Sequence, residues 1–458
     1  MGRFSFSLFF LLFSSASVYG YESSVEGGVS MSYTDNAAFQ SQNRQNDLIV
    51  ELGGRYRFWG ESSYSRLLTD LGASYQHYLQ DTFANQVTVD GMVQLAAIIA
   101  PKQVEWIFED YVTDVFNNPT RLFRPTDRSR LNIFSTGPTL MSVINPANTI
   151  VLDLRHVIVN DEAGIDSVRE KAEATLDHKF SEVSGFSFVL FGEQVKFDAQ
   201  EQGLFGVVQD FNRYEAFIMP YRDSQNTHLE FDIGVTEIER LEDNEKDLLA
   251  RWGVKATYFI PKVREFTVEL SQRHSDSVND LISSSIASSR VDSNGLVVSD
   301  LSSSVSSLQD QTVSSLSVED SSNAIIEQKN AAISLQLFGD IVDFYSTAYV
   351  ERRTVNDLFY ANGQDRLRRG IDFAFGKRVS PRLDFSLGIF TSKSLFDDRD
   401  TGVEYLQSYV TRMTYLVARR VEFSGQISRD IRKDVADSFE QNAEENRIMF
   451  SLYYLPKS

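Results

Sequence analysis

The last thirteen residues, 446–458, read NRIMFSLYYLPKS, and their side chains alternate between two kinds. One parity is apolar throughout and consists of Ile448, Phe450, Leu452 and Tyr454, whereas the other is mixed and consists of Arg447, Met449, Ser451 and Tyr453. Because successive side chains of a β-strand point to opposite faces, this segment predicts a strand with one wholly apolar face. A chain with a net charge of −20 therefore ends on a strand that needs an apolar environment.

The same alternation recurs along the chain. It is clear in TIVLDLRHVIV (149–159), HLEFDIGV (228–235), EFTVELSQR (265–273), RLDFSLGIF (382–390) and VEFSGQIS (421–428). A period of two over such segments is typical of strands, and no long segment shows the helical period. We predict about twenty strands, within a range of roughly sixteen to twenty.

Short turns and long polar gaps alternate between these segments. Five of the nine prolines lie in predicted short turns, namely Pro101, Pro146, Pro220, Pro261 and Pro381, and two more short turns are predicted near Ser181 and Gly339. The long gaps are roughly 35–46, 115–129, 160–168, 195–203, 240–247, 277–323, 354–365, 394–402 and 433–443. This rhythm predicts successive antiparallel strands whose short turns all lie at one end of the sheet.

Strands of this kind fit either a soluble sandwich or a membrane barrel. The polar face of each strand carries charges, which a sandwich core would not tolerate unpaired but which a barrel exposes to a watery lumen. Aromatic side chains also lie near predicted strand ends, where they suit a bilayer interface: Trp106, Phe108, Trp252, Tyr258, Tyr345, Tyr349, Tyr409, Tyr415, Tyr453 and Tyr454. We therefore predict an all-β, antiparallel, up-and-down transmembrane β-barrel, closed by the last strand against a first strand near Glu22–Tyr33.

The N-terminus has the pattern of a secretory signal peptide over residues 1–20. Arg3 supplies the positive charge, Phe4–Phe13 form a short apolar segment, and Val18 and Gly20 suit a cleavage site. The alternative is an N-terminal anchor. Residues 21–458 are then predicted to form a single barrel, and the absence of cysteine excludes a disulfide framework and a thiolate metal site.

The C-terminal pattern resembles the insertion signal of bacterial outer-membrane proteins, in which alternating apolar residues end in an aromatic one. Ile448, Phe450, Leu452 and Tyr454 match that pattern, although Leu455–Ser458 follow the final aromatic residue here. The resemblance implies the outer membrane of a Gram-negative bacterium. It also implies outer-membrane lipid, lipopolysaccharide and the outer-membrane insertion machinery as partners.

Two segments support a narrower resemblance. RSRLNIFSTGPTLMSVINPANTIVLDLRH (128–156) and RDIRKDVADSFEQNAEENRIMFSLYY (429–454) resemble outer-membrane β-barrel proteins associated with exopolysaccharide and PEP-CTERM systems. The matching residues are Asn132, Phe134, Gly137, Pro138, Asn446 and Arg447. This resemblance implies a porin-like barrel linked to surface polysaccharide, with polysaccharide export components as further partners.

Motifs for catalysis or cofactor binding are not recognisable in the sequence. The five histidines lie in different predicted strands without an acidic or nucleophilic partner at a familiar spacing. We therefore assign no catalytic, cofactor-binding or metal-binding residue and expect no enzymatic activity. The negative net charge disfavours nucleic acid as a partner.

The polar face of the predicted strands carries the candidate functional residues. Predicted lumen-lining charges are Asp153, Arg155, Glu230, Asp232, Arg251, Lys255, Glu265, Glu269, Arg273, Asp343, Glu351, Asp372, Asp384 and Glu422. Acidic members outnumber basic ones, which permits two interpretations: a hydrated wall with cross-strand charge pairs, or a pore that prefers cations or conducts polysaccharide. Tyr345, Tyr349 and Phe390 are candidate inward aromatic residues for a sugar path.

The Ser-rich segment 277–323 is low in complexity. It is either a disordered outer loop or a loop that folds into the barrel and narrows it. The sequence as a whole favours an outer-membrane channel for surface polysaccharide or small solutes. The alternative is a non-conducting structural or assembly barrel of an envelope complex.

Overall fold

The computed structural model describes residues 21–116, 128–162, 166–198, 210–241, 245–260, 264–275, 326–337, 339, 341–355, 365–396, 402–436 and 439–454. These residues form one sheet of 20 strands. The strands are β1 Tyr21–Thr34, β2 Asp47–Glu61, β3 Ser65–Tyr78, β4 Gln86–Ala100, β5 Val104–Phe116, β6 Arg128–Asn145, β7 Asn148–Asp161, β8 Ser167–Ser181, β9 Ser184–Phe197, β10 Phe211–Ser224, β11 Thr227–Arg240, β12 Lys246–Ile260, β13 Arg264–Ser275, β14 Ile326–Leu337, β15 Val342–Val355, β16 Arg366–Ser380, β17 Leu383–Phe396, β18 Val403–Ala418, β19 Val421–Ala436 and β20 Phe439–Tyr454.

The sheet closes on itself. Every strand pairs antiparallel with its neighbours in sequence, and β1 also pairs with β20, from Gly27↔Tyr454 to Thr34↔Arg447. The closing pair of strands, hereafter the seam, leaves no strand of the sheet at an open end, as a bilayer requires. The predicted all-β, up-and-down barrel of about twenty strands is confirmed. The predicted signal peptide, residues 1–20, and the Ser-rich segment 277–323 lie outside the described residues, so both stay predictions.

The predicted alternation of short turns and long gaps is found along most of the described residues, with two corrections. The predicted long gap 433–443 is wrong, because β19 continues to Ala436 and β20 begins at Phe439. Pro261 lies outside the described residues, and the second correction concerns Pro220. This residue lies within β10, and the turn follows at Gln225–Asn226. The β10–β11 ladder passes from Ile218↔Ile233 to Tyr221↔Glu230 without pairing Pro220, which has no N–H to donate. The turn at 62–64 and the loop at 79–85 contain no proline, so the proline rhythm did not reveal them.

The two faces of the barrel wall differ in chemistry. Large apolar side chains are exposed on one face, including Leu52, Ile233 and Ile371 at 63%, 62% and 58% exposure. The other face carries ion pairs that skip a strand, such as that between Arg251 of β12 and Glu215 of β10. Side chains converge across an intervening strand only on the concave side of a sheet, so the charged face lines the lumen and the apolar face is outside.

A lumen-facing arginine contacts a local break in the β6–β7 ladder, where Gly137 and Pro138 are left unpaired. Gly137 has φ +159°, and an added Cβ would lie 1.9 Å from the carbonyl oxygen of Leu154, so only glycine fits. The adjacent Pro138 cannot donate a ladder bond. The Arg155 side chain instead satisfies exposed carbonyls, because its Nη1 donates to Pro138 O at 3.2 Å and to Leu154 O at 2.9 Å.

Candidate functional site: the barrel lumen

The register places all fourteen predicted lumen charges on the inner face. Asp153 and Arg155 form an ion pair there. Lys255 lies in register between Glu230 and Glu269 on the two neighbouring strands. The remaining members share their parity with these residues along β11–β19: Asp232, Arg251, Glu265, Arg273, Asp343, Glu351, Asp372, Asp384 and Glu422. Whether they select a permeating solute stays a prediction.

A dense ion-pair network lies on the described inner wall of β8–β10. Glu193 is fully buried, and its carboxylate receives three cations: Arg213 at 2.8 Å, Lys171 at 3.3 Å and Arg169 at 3.5 Å. Arg169 is itself fully buried. A buried carboxylate is stable in the charged form only when it is paired in this way. This part of the wall is therefore a fixed polar structure and not a set of freely solvated charges.

A second network on β10–β12 is centred on Arg251. Its guanidinium contacts the carboxylate of Glu215 and lies 3.1 Å from Asp232. The guanidinium carbon also lies 3.6 Å from the centre of the Phe217 ring, in a cation–π contact. Arg251 thus joins three strands across the concave face.

Basic residues are far more numerous on the inner wall than the sequence prediction listed. The register adds inward Arg55, Arg57, Arg169, Lys171, Arg213, Arg353, Arg366, Arg368, Arg412, Arg432 and Arg447. Several neutralise adjacent carboxylates, for example Arg432 with Glu404 at 2.9 Å. Strand parity could have identified these residues, but RLRRGIDF (366–373) carries arginine on both faces and gives a weaker alternation. The register also adds inward carboxylates that the prediction did not list, including Glu26, Glu51, Asp70, Asp90, Glu193 and Glu215, so charges of both signs line the lumen.

The aromatic residues divide between the two faces. Tyr345, Tyr349 and Phe390 point into the lumen, as considered for a sugar path. Tyr453 is also inward, because it pairs with Gly28 and Glu422 on the inner parity. Assigning Tyr345, Tyr349 and Tyr453 to a lipid-facing aromatic belt was therefore wrong, since an aromatic residue near a strand end can take either parity. The outward rings are Trp106, Phe108, Trp252, Tyr258, Tyr409, Tyr415 and Tyr454.

The hairpin formed by β13 and β14 leans into the lumen at the end of the barrel that carries the long connections, hereafter the outer end. Pairing of β12 with β13 stops at Trp252↔Gln272, whereas β13 and β14 stay paired to Ser275↔Ile326. Arg213, on β10, donates from Nη1 to the backbone oxygen of His274 on β13 at 3.4 Å. This contact joins β10 to β13 across β11 and β12, so the hairpin narrows the lumen on this side.

The inner wall of β9–β11, on the side towards which this hairpin leans, is covered. Val195, Thr236 and Ile238 are at most 1% exposed although they share the inward parity of β9 and β11. Val195, Phe211 and Ile238 pack together as a small apolar cluster. The outer part of the lumen along β8–β11 is thus filled, while carboxylates elsewhere on the wall remain accessible, for example Asp90 with a 54% exposed side chain.

The C-terminal residues proposed as an insertion signal form one outward stripe. Ile448, Phe450, Leu452 and Tyr454 are 42%, 53%, 45% and 47% exposed on β20. Their positions fit contact with lipid or with another sheet edge during insertion. A role as a signal stays a prediction.

The outer rim carries solvated ion pairs. Lys246 Nζ lies 3.1 Å from Glu239 and 3.4 Å from Glu237. The hydrogen bond to Glu239 raises the pKa of Lys246, and the same bond, together with one from Asn212, lowers the pKa of Glu239. The Lys246 side chain is 54% exposed, so solvent screens the pair, which fixes charge at the rim but adds little stability.

Within the described ranges, no three His, Asp or Glu side chains lie close enough together to hold a metal ion. Among the same residues there is also no helix of sufficient length and apolar character to cross a membrane.

A closed antiparallel barrel with an apolar exterior and a charged lumen defines the class of membrane-spanning β-barrels. No protein-family model and no curated protein matches the sequence. Among solved structures, the FrpB iron transporter from Neisseria meningitidis (F3-3 variant) aligns over 94% of this chain and 81% of its own, with 7% identity and a TM-score of 0.47. Pseudomonas aeruginosa OccK1 (OpdK) aligns over 95% and 99%, with 8% identity and a TM-score of 0.43. The siderophore receptor PirA from the same organism aligns over 94% and 80%, with 8% identity and a TM-score of 0.45. These similarities concern the barrel fold alone.

Proposed function

We propose that this protein is an outer-membrane channel that lets small polar solutes pass through a charged lumen. The observation that carries this proposal is the opposition of faces: apolar side chains outside and charged, partly accessible side chains inside. Barrels of 16–18 strands already enclose an aqueous channel, because wall side chains are too short to fill the interior. A 20-stranded wall leaves at least as much space.

Passage in this proposal is passive and is directed by the wall. Paired charges keep the lumen wet without binding a solute tightly, which suits conduction. The inward hairpin of β13 and β14 narrows the outer part, so the passage runs along the opposite wall, formed by β1–β4 and β15–β20. Insertion into the outer membrane of a Gram-negative bacterium would use the C-terminal stripe.

A link to surface polysaccharide is a finer proposal. It rests on the sequence resemblance of segments 128–156 and 429–454, and inward Tyr345, Tyr349 and Phe390 supply rings that a sugar chain could contact. Absence of catalysis is likewise an expectation from the sequence.

The filled wall at β8–β11 favours one alternative, a structural barrel that does not conduct by itself. Planar-bilayer recording of the folded chain from residue 21 separates the two, with heat-dependent gel mobility as the check on folding. Stepwise current with a measurable reversal potential in a salt gradient supports the channel. Silence from demonstrably folded protein overturns it and supports the structural alternative.

A further inference from the structure

The inner wall beside the seam contains a recess of about 500 Å³. Gly28 and Gly53 pair directly across β1 and β2, and Ser74 and Thr88 continue the row on β3 and β4. The small inward side chains of this row leave the wall hollow at this point. The volume lies within the usual range of small-molecule sites, roughly 300–1,000 Å³.

One side of the recess is formed by the Tyr453 ring. A Cβ added to Gly28 would lie 2.2 Å from Cδ1 and 2.7 Å from Cε1 of Tyr453, so the ring lies directly on the bare backbone of β1. Tyr453 is 40% exposed and lines the recess. A tyrosine in this setting offers an apolar surface together with a hydroxyl.

The recess carries more carboxylates than cations, and two arginines hold three of the carboxylates. Arg57 contacts Glu26 and lies 3.3 Å from Asp70, and Arg55 contacts Asp70 and lies 3.3 Å from Asp90. Glu51 and Asp114 line the recess as well. An anionic solute therefore gains nothing here, and the Glu51 carboxylate can accept a hydrogen bond from a hydroxyl of a neutral solute.

The remaining polar groups alternate between donors and acceptors. Gln76 donates to Glu51 at 3.3 Å, and the hydroxyls of Ser74 and Thr88 are hydrogen-bonded at 2.7 Å. A neutral ring that carries several hydroxyls can both donate to and accept from such groups, while its C–H face rests on an aromatic ring.

From this combination we propose that the recess binds a neutral sugar ring as a solute subsite on the lumen wall. The assignment rests on the proposed channel function and specifies the class of solute. The bound ring packs against Tyr453, and its hydroxyls exchange hydrogen bonds with Glu51, Gln76, Ser74 and Thr88.

The test uses maltotriose as the probe and isothermal titration calorimetry of the chain from residue 21, folded in detergent. Gly28→Ala forces the Tyr453 ring off the wall and is expected to weaken maltotriose binding at least tenfold. Gly27→Ala is the matched control, because a Cβ at this outward neighbour meets only a backbone oxygen at 3.8 Å. Binding to this control should stay within twofold of the unmodified chain. Tyr453→Ala, which adds no atom, should reproduce the loss if Gly28→Ala fails to fold.

Three results would overturn the assignment: no maltotriose binding to the unmodified folded chain, equal affinities of all variants, or tighter binding of spermidine or glucuronate than of maltotriose. Bilayer current measured on the same preparation separates this failure from that of the channel. Current without maltotriose binding removes the subsite and leaves the channel. Binding that depends on Tyr453 without current keeps the subsite and removes the channel.

Discussion

Replacing Arg251 by methionine removes the guanidinium that joins Glu215 and Asp232 on the inner wall. The side chain of Arg251 is 15% exposed, and those of Glu215 and Asp232 are 7% and 3% exposed. Both carboxylates would lose a close cation in a place where water reaches them poorly. Of the cations among the described residues, Arg213 would remain near Glu215, at 3.7 Å.

The expected cost follows from this geometry. Breaking a buried ion pair by removing one partner typically costs about 3–5 kcal/mol, because the remaining charge is left uncompensated. Arg251 is not fully buried, so water can partly replace it, but it serves two carboxylates and contacts the Phe217 ring at 3.6 Å. We therefore expect Arg251→Met to lower the free energy of unfolding by about 3 kcal/mol.

The assay is urea unfolding of the detergent-folded barrel, followed by tryptophan fluorescence and by gel mobility. Arg378→Met is the matched control, because Arg378 forms an ion pair with Asp384 at 3.6 Å but both side chains are well exposed. Its expected effect is below about 1 kcal/mol. A loss no larger for Arg251→Met than for Arg378→Met would refute the reasoning that burial makes this network matter.

Three further changes test other parts of the structure. Ile333→Arg places a charge on the lipid face of β14 and should lower the free energy of unfolding by about 2–4 kcal/mol near the bilayer midplane. Ser334→Arg, on the lumen face, should lower it far less. Urea unfolding in lipid vesicles measures both, and equal losses would show that the faces are misassigned. Gly137→Ala forces a Cβ into the β7 backbone and should reduce the yield of heat-modifiable folded barrel, unlike Gly192→Ala, whose nearest contact is ordinary at 3.5 Å. Arg213→Gln weakens the contact between β10 and the inward hairpin and should raise single-channel conductance; an unchanged conductance would show that this contact does not set the constriction.

Alternation in the sequence predicted the barrel because a two-residue period places alternate side chains on opposite faces of a strand. Once the apolar face is assigned to lipid, Asp153, Glu230 and Lys255 can only face the lumen, where the register places them. The same reasoning fails at strand ends. Tyr453 and Tyr454 are both tyrosines, so residue type does not determine which of them faces the membrane.

Contacts that depend on curvature could not be predicted. Arg213, Glu193 and Arg169 meet on three successive strands, and Arg251 reaches Glu215 over an intervening strand. Such contacts follow from the pairing register and the bend of the sheet, which periodicity within one strand does not contain. The inward lean of β13 depends on where pairing with β12 stops, and no residue pattern marks that position.

The seam has a consequence for how the barrel forms. Every other pairing joins strands adjacent in sequence, but the seam joins Thr34 to Arg447, more than 400 residues away. If the seam formed first, from the disordered chain, closing a loop of that length would cost on the order of 5 kcal/mol in chain entropy. The seam offsets this entropy cost with only eight residue pairs, whereas β1 and β2 form fourteen. The nineteen local hairpin pairings can therefore assemble progressively along the chain, whereas the final ring closure is the slow, non-local event of folding and the first joint to part when the barrel unfolds.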